Sequence, residues 1–304
     1  MSIEVRPFQR GDRDQVTALV NAHIQAVVPA MSVSVNAVMS QLEREPGEYI
    51  VDAWVVERAT LVGVAQDRIV AAAHLHRYAA DDRVSESYHD AGEIRWLLCW
   101  STDTDAGEAL AAASIAHLER WEVSRLYADG SLPAIGVYGV PDAWPHIRTI
   151  YERAGFVHGR TEVILVAAVE DLPRPQRPPL EGLSVRRELG INGTRFSAVL
   201  DEEMIGFVEV ESDFTSGGTL SRLAGWSDVG NLQVDESHRR KGVATWLVAC
   251  AADWLRLGGV SRLLSYAYPE AEESLAFHAH AGFRELTRTR RGWTRPSGGT
   301  PVPD

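Results

Sequence analysis

The chain has only two cysteines in 304 residues, Cys99 and Cys250, both in apolar segments and neither in a C-x-x-C pair. That scarcity excludes a disulfide framework and a cysteine-held metal site, and it makes a reducing compartment the simpler setting. Basic residues are outnumbered, with 30 Lys and Arg against 42 Asp and Glu and a formal net charge of −12. Such a balance argues against nonspecific binding to nucleic acid or to anionic membrane surfaces. Long apolar runs are missing too. None reaches the roughly 18 residues of a membrane span, and the opening MSIEVRPFQRGDRD has no signal-type apolar core, so the cytoplasm is the expected location. The phosphate-loop pattern G-x-x-x-x-G-K-[S/T] does not occur, because Lys241 precedes its glycine, and no G-x-G-x-x-G follows an early strand.

What remains is an ordinary globular composition, 45% hydrophobic and 24% charged, in a chain long enough for two domains of roughly 100 to 200 residues each. The segment DLPRPQRPPLEGL, 171–183, carries four prolines and reads as an extended connection, since proline fixes φ and removes a ladder donor. The expected division is a first domain at 1–170, a Pro-rich linker at 171–182 and a second domain at 183–304. Upstream, helical spacing at RDQVTALVNAHIQAVV and VSVNAVMSQLERE precedes strand-like runs at YIVDAWVVE, IVAAAHLHRY and EIRWLLCW. A long helix at AGEALAAASIAHLERWEV, a strand at AIGVYGV, a helix ending at YERAGF and a strand at TEVILVAAV follow. Downstream, LSVRREL, FSAVLDEE, MIGFVEVES and VGNLQV read as strands. The helix VATWLVACAADWLRL comes next, with apolar positions Val243, Trp246, Leu247, Cys250, Ala251, Trp254 and Leu257 and a Gly258-Gly259 stop. RLLSYAY, EESLAFHAHAG and FRELTRTR close the pattern as strand, helix and strand. This alternation argues for an α/β (α+β) class with layered mixed sheets. VYGVPDAWPHIRTIYERAGF parallels SYAYPEAEESLAFHAHAGF, the mark of a divergent tandem duplication.

One stretch is at odds with simple helix electrostatics. Arg239, Arg240 and Lys241 stand directly before Gly242 and the apolar helix, where positive charge opposes the macrodipole. A bound anion at the helix start would reconcile the charges. With its neighbours, Val234-Asp235-Glu236-Ser237-His238-Arg239-Arg240-Lys241-Gly242-Val243-Ala244 resembles the acyl-CoA signature [Q/R]-x-x-G-x-[G/A] of the GNAT superfamily of N-acyltransferases, matched at Arg239, Gly242 and Ala244. Glycine and small residues let backbone N–H groups approach a pyrophosphate, while the helix N-terminus and basic side chains supply positive charge. A solvated Arg-Arg-Lys cluster at a surface helix start is the plainer alternative.

The resemblance implies two tandem GNAT-like domains, each a mixed, mostly antiparallel sheet flanked by helices, the first of them degenerate. It also implies transfer of an acetyl group from acetyl-CoA to a primary amine of a small molecule or peptide, without a metal. Leu232, Gln233, Val234, Arg239, Arg240, Lys241, Gly242, Val243, Ala244 and Thr245 are the residues it assigns to the coenzyme. An ammonium acceptor must lose a proton before it attacks a thioester, and in the family an acidic residue on the preceding strand commonly takes it; here that position is Asp228, which would serve equally as a strand-edge residue. Glu209 and Glu211, on one face of a strand, are second candidates or two solvated carboxylates. The family's tyrosine acid in Y-x-x-x-G-F is replaced by His278, whose imidazolium is acidic enough to protonate a thiolate and whose plainer role is a half-buried histidine. His278 and His280 are two apart on a helix and cannot face one metal together. Ala271 stands where an asparagine often holds the coenzyme.

The first half departs from the signature. Three carboxylates, Asp103, Asp105 and Glu108, occupy the place of the pyrophosphate loop and would repel phosphate, so this domain is expected to lack an ordinary coenzyme site. It keeps the pattern tyrosine, Tyr151, which is otherwise a packing residue. The second half lacks the two helices that GNAT folds insert after the first strand, having only Gly190-Ile191-Asn192-Gly193, whereas the first half has them between Arg10 and Glu45. The halves are therefore expected to complement each other, the second holding acyl-CoA and the first helping to form the acceptor wall. Tandem proteins such as mycothiol synthases resemble this layout, with no motif here selecting their substrate. A noncatalytic acyl-CoA sensor and a scaffold are the alternative readings.

Overall fold

Segments rich in apolar and β-branched residues run through 55–65, 68–78 and 91–99, broken by charged side chains such as Glu57, Arg58, Arg77 and Glu93. In the computed structural model, which describes residues 3–43, 54–134, 136–191, 193–211 and 225–296, these runs are β2 (Val55–Ala65), β3 (Arg68–Tyr78) and β4 (Ala91–Cys99). With β1 (Glu4–Pro7), β5 (Arg125–Ala128) and β14 (Trp293–Arg295) they form a sheet of order β1-β2-β3-β4-β5-β14. Neighbours are antiparallel except β4 and β5, which are parallel. The sheet carries α1 (Arg13–Val27), α2 (Val35–Leu42), α3 (Thr104–Arg120) and α4 (Pro145–Arg153). Ser34 caps α2 by accepting from the Ala37 N–H at 3.1 Å, and Pro145 starts α4 where no intrahelical donor is needed.

Three expectations shift. AIGVYGV is not a strand: Gly136 and Gly139 have φ of +70° and +69°, which break extended pairing, and only Val140–Pro141 forms a short β6. RLYA, for which no strand was expected, forms β5 as the parallel neighbour of β4. The strand expected at YIVDAWVVE begins at Val55; its residues 49–53, like the end of the second helix beyond Glu43, lie outside the described residues.

A second sheet includes the run β7-β12-β11-β10-β9-β8, from β7 (Arg160–Ala168), β8 (Ser184–Gly190), β9 (Gly193–Leu200), β10 (Glu203–Glu211), β11 (Trp226–Val234) and β12 (Arg262–Ala267). Again one pair, β11 with β12, is parallel. Asp201 and Glu202, with φ of +49° and +69°, turn β9 into β10 as a two-residue hairpin. The connection from β8 to β9 is as short as the sequence implied. Gly193 has φ +115°, and a Cβ there would meet the Val210 carbonyl oxygen at 2.5 Å; Asn192 lies outside the described residues. Helix α5 (Val243–Leu257) buries Val243, Leu247, Ala251 and Leu255 among Phe196, Val208 and Val210 of the sheet. The expected apolar stripe is rotated at its end: Leu255 is buried and Leu257 is 86% exposed, because a 3.6-residue period carries the later position past the sheet. Helix α6 (Glu272–Ala281) and β13 (Arg284–Arg291) follow.

The compact units are Met1–Thr161 with Arg288–Asp304, and Glu162–Thr287. The Pro-rich segment 171–182 thus lies inside the second unit. The unit containing β12 takes β7 from the first half of the sequence as its antiparallel neighbour, Leu263 opposite Ala167. The unit containing β5 takes β14 from the end of the chain, Trp293 opposite Ala128. Each exchanged strand covers an edge of unpaired N–H and C=O groups.

Candidate functional site

The coenzyme signature falls on the turn from β11 into α5. After Val234 a 3-10 turn, Glu236–His238, leads to Arg239, whose Nε donates to the Val234 carbonyl oxygen at 3.1 Å. Arg240 has φ +62°, and Gly242, the N-cap of α5, has φ +83° with no side-chain cap. A left-handed conformation costs an L-residue roughly 1–2 kcal/mol, which glycine avoids. The turn therefore ends in a helix start whose first N–H groups have no N-cap side chain to accept from them. Arg239, Arg240, Lys241 and Gly242 are exposed around it, Ala244 and Thr245 half-buried. Arg240 meets Glu273 at 3.6 Å, an ion pair so exposed that it contributes little. Val243 and Val234 point into the core, so only their backbones are available to a ligand. Leu232 is half-buried and Gln233 exposed on the last third of β11.

That strand forks away from its parallel neighbour. β11 and β12 pair at Trp226 with Arg262, Ser227 with Leu263 and Asp228 with Leu264, and the remainder of β11 pairs with β10 alone. Asp228 stands at the fork. Its Oδ2 accepts from the Tyr266 hydroxyl at 3.0 Å, while its buried Oδ1 has no hydrogen-bond partner among the described residues. Burial pushes the carboxyl up from 3.8 to about 6; Glu211, opposite on β10, adds to this and the Tyr266 bond opposes it. Of the second candidates, Glu209 is 1% exposed and bound to Arg195 at 2.6 Å, with the Ile191 N–H also donating to it. That carboxylate is committed to holding the β8–β9 turn. Glu211 is the neighbour of Asp228.

His278 lies in the core against the rings of Phe277 and Phe283. Its Nδ1 is 2.7 Å from the Ser274 carbonyl oxygen and its Nε2 2.8 Å from Ser265 Oγ. The neutral ring donates from Nδ1 and accepts at Nε2, and burial holds its pKa below the usual value. Its hydrogen-bonding capacity is thus used within the fold, and it is not brought together with Asp228. His280 is exposed.

Tyr266, which sequence reasoning passed over, is the group that meets Asp228. Its only sequence signal is an aromatic in RLLSYAY at an alternate position to buried Leu263, Ser265 and Ala267. A second missed residue lies in the first unit. A β-bulge opposite His74/Leu75 leaves Arg95 as the extra residue of β4, as a bulge opposite Glu209/Val210 leaves Gly230 on β11. Counted from the bulges, buried Glu93 occupies the place of Asp228. It accepts from the Tyr78 hydroxyl, lies 3.6 Å from Arg95, and is raised in pKa by burial. A charge inside the apolar run EIRWLLC was its signal. Tyr151 is fully buried, donates to the Asp129 carbonyl oxygen at 2.8 Å and packs on Phe156 and Trp293. Asp103 is the N-cap of α3, with carboxylate in the place of the basic turn.

The acetyltransferase (GNAT) family matches residues 165–283. In structure the chain is similar to a tandem GNAT protein from the clavulanic acid biosynthesis pathway, with 15% identity, 99% of this chain and 100% of that one covered and a TM-score of 0.66. It is also similar to a glucosamine N-acetyltransferase region of a fungal multi-domain GH3 β-N-acetylglucosaminidase (14%, 96% and 38% covered, TM-score 0.63). A third is a GCN5-related N-acetyltransferase from Sphaerobacter thermophilus (13%, 96% and 94% covered, TM-score 0.62). At these identities the likeness is one of fold. No curated protein sequence matches the chain. Residues 165–283 thus match the GNAT acetyltransferase family, and the chain as a whole shares the fold of a tandem GNAT protein.

Proposed function

We propose that the protein is an acetyl-CoA-dependent N-acetyltransferase that acts on a primary amine of a small molecule or peptide. The observation that carries this is the placement of two features on one strand: β11 leads into the basic, glycine-capped start of α5, and Asp228 stands where the same strand parts from β12. The uncapped helix start and the close backbone approach allowed at Gly242 fit a pyrophosphate, held by the N–H groups of 243–245 with Arg239, Arg240 and Lys241. The parted edge of Leu232–Val234 offers backbone groups to the amide-bearing arm of the coenzyme. Acetyl-CoA would supply an activated acyl group as thioester. Asp228, with a pKa of about 6, is ionised at neutral pH and basic enough to take an ammonium proton. The first unit, which has the helices α1 and α2 that the second lacks, is assigned a part in acceptor recognition. Two free cysteines fit a cytoplasmic setting, and none of the described helices is long and apolar enough to cross a membrane.

One observation favours a second reading, a noncatalytic acyl-CoA sensor: His278, at the position of the usual proton donor, is occupied within the core. Calorimetric titration of the intact chain with acetyl-CoA, repeated on Arg239→Glu, tests the coenzyme site. One binding site, lost in the variant, supports it; no binding to the intact chain overturns both readings. Thiol release across a panel of amines then separates them, since a sensor binds and transfers nothing.

A further inference from the structure

Once an ammonium acceptor has released one proton to solvent and become the free amine, its acylation by a thioester needs two further proton movements. The amine must lose a proton, and the departing thiolate must gain one. Asp228 can serve the first, but with His278 engaged by Ser265 and Ser274 the second lacks a donor at the expected place. The fork itself offers one. Tyr266 lies on β12 two residues beyond Leu264, the last residue paired with β11, and its hydroxyl reaches back to Asp228 Oδ2 at 3.0 Å. Its ring is half-buried, so it is neither sealed in the core nor loose in solvent. The charged group facing Asp228 from β10 is Glu211, and from β12 the hydroxyl of Tyr266 faces it.

We propose that Tyr266 is the proton donor to the leaving thiolate and that its bond to Asp228 Oδ2 presents Oδ1 to the amine, an assignment that rests on the acyltransferase reading. The amine nitrogen bonds to the acyl carbon as the carbon–sulfur bond breaks. Asp228 Oδ1 takes the proton that nitrogen gives up, and Tyr266 gives its hydroxyl proton to sulfur. The carboxyl then turns to bring its protonated oxygen to Tyr266 and gives that proton to the phenolate, so both residues end as they began. A phenol near pKa 10 is a weaker acid than a thiol near 8.5, which would hold back an isolated tyrosine. Return from a carboxyl of pKa about 6 reverses that balance. The buried, unpartnered Oδ1 fits the same scheme, since an arriving N–H donor satisfies it.

The test uses the full chain as wild type, Tyr266→Phe, Asp228→Asn and the double variant. Carbon-13 NMR titration of the aspartate carboxyls, with Asp228 identified by its loss in Asp228→Asn, reads the coupling without any turnover. Removing the hydroxyl should raise the Asp228 pKa further, and an unmoved titration overturns the positioning. In turnover, Tyr266→Phe should lower kcat at least tenfold with acetyl-CoA affinity unchanged, and it should cost nothing more once Asp228→Asn is present. Undiminished kcat, or losses that multiply in the double variant, overturn the proton-donor role. Incorporation of 3-fluorotyrosine at 266 covers a folding defect in the phenylalanine variant: it retains the bond and lowers the phenol pKa, so the basic limb of the kcat profile should move down. A basic limb that stays in place counts against the proposal. Wild type that binds acetyl-CoA and transfers to no amine removes the acyltransferase reading and the donor role together, while the NMR titration still decides the Asp228–Tyr266 link.

Discussion

Asp228→Asn should stabilise the protein at alkaline pH and leave it nearly unchanged in acid. The carboxyl has a pKa of about 6 in the fold against an ordinary value of 3.8, a difference of about 2. Below 3.8 it is protonated in both folded and unfolded chains and contributes no pH dependence. Between the two values the folded chain holds a proton that the unfolded chain has released, so wild-type stability falls as pH rises from about 4 to 6. Above the folded value the full penalty applies, about 3 kcal/mol at 1.36 kcal/mol per pKa unit. Asparagine keeps an acceptor for the Tyr266 hydroxyl and carries no charge, so it removes the penalty and little else. Urea denaturation of wild type and variant at pH 4 and pH 8 reads the effect as a difference of differences. Contributions from other groups, His278 among them, cancel because they are common to both proteins. The expected gain is about 1–3 kcal/mol at pH 8 and close to zero at pH 4. An equal effect at both pH values would refute the desolvated-carboxyl reasoning. The same variant should lose about 10²- to 10⁴-fold in kcat if Asp228 is the base, so stability and activity should move in opposite directions.

Other substitutions separate binding from folding. Gly242→Ala places a side chain at φ +83° and should cost about 1–2 kcal/mol of stability; calorimetry with acetyl-CoA should show at least tenfold weaker binding as the turn shifts. His278→Ala removes a ring bonded to Ser265 and Ser274 in the core and should cost about 2–4 kcal/mol in urea denaturation. Because His278 stays neutral in the fold while the unfolded ring protonates, its contribution is present above about pH 6.5 and is lost as pH falls below it; the variant's stability should lose that dependence. Tyr151→Phe deletes the bond to the Asp129 carbonyl and should cost about 1 kcal/mol, with acetyl-transfer rates unchanged.

The structure also changes how the second unit can be studied. A fragment beginning near Leu180 lacks β7, the antiparallel neighbour of β12, and would expose an apolar strand edge. Its inactivity would report that lost strand and say nothing of the acceptor-recognition role proposed for the first unit. Full-length variants such as Glu93→Gln, assayed for acceptor KM with coenzyme affinity as the control, address that role directly.

By itself the sequence determined whatever depends on near neighbours along the chain. The glycine after three basic residues, the apolar helix behind it and the Gly-Gly stop are local features, and a left-handed N-cap with an apolar helix face follows from them without knowledge of the partner sheet. The short β8–β9 turn was legible for the same reason. Tertiary structure decided what depends on register and on which strands lie side by side. That β7 and β14 are exchanged between the sheets is invisible in their sequences, because either sheet offers an apolar edge of suitable length. AIGVYGV failed to form the expected strand because two left-handed glycines outweigh apolar alternation. Asp228 was legible as a position, but its raised pKa arises from burial at the fork, held in check by a hydroxyl on a strand 38 residues away. His278, by contrast, took a core position because Ser265 and Ser274 meet both of its nitrogens. Solvation and hydrogen-bond partners set the chemistry of an ionisable group, and both are fixed only when distant segments pack together.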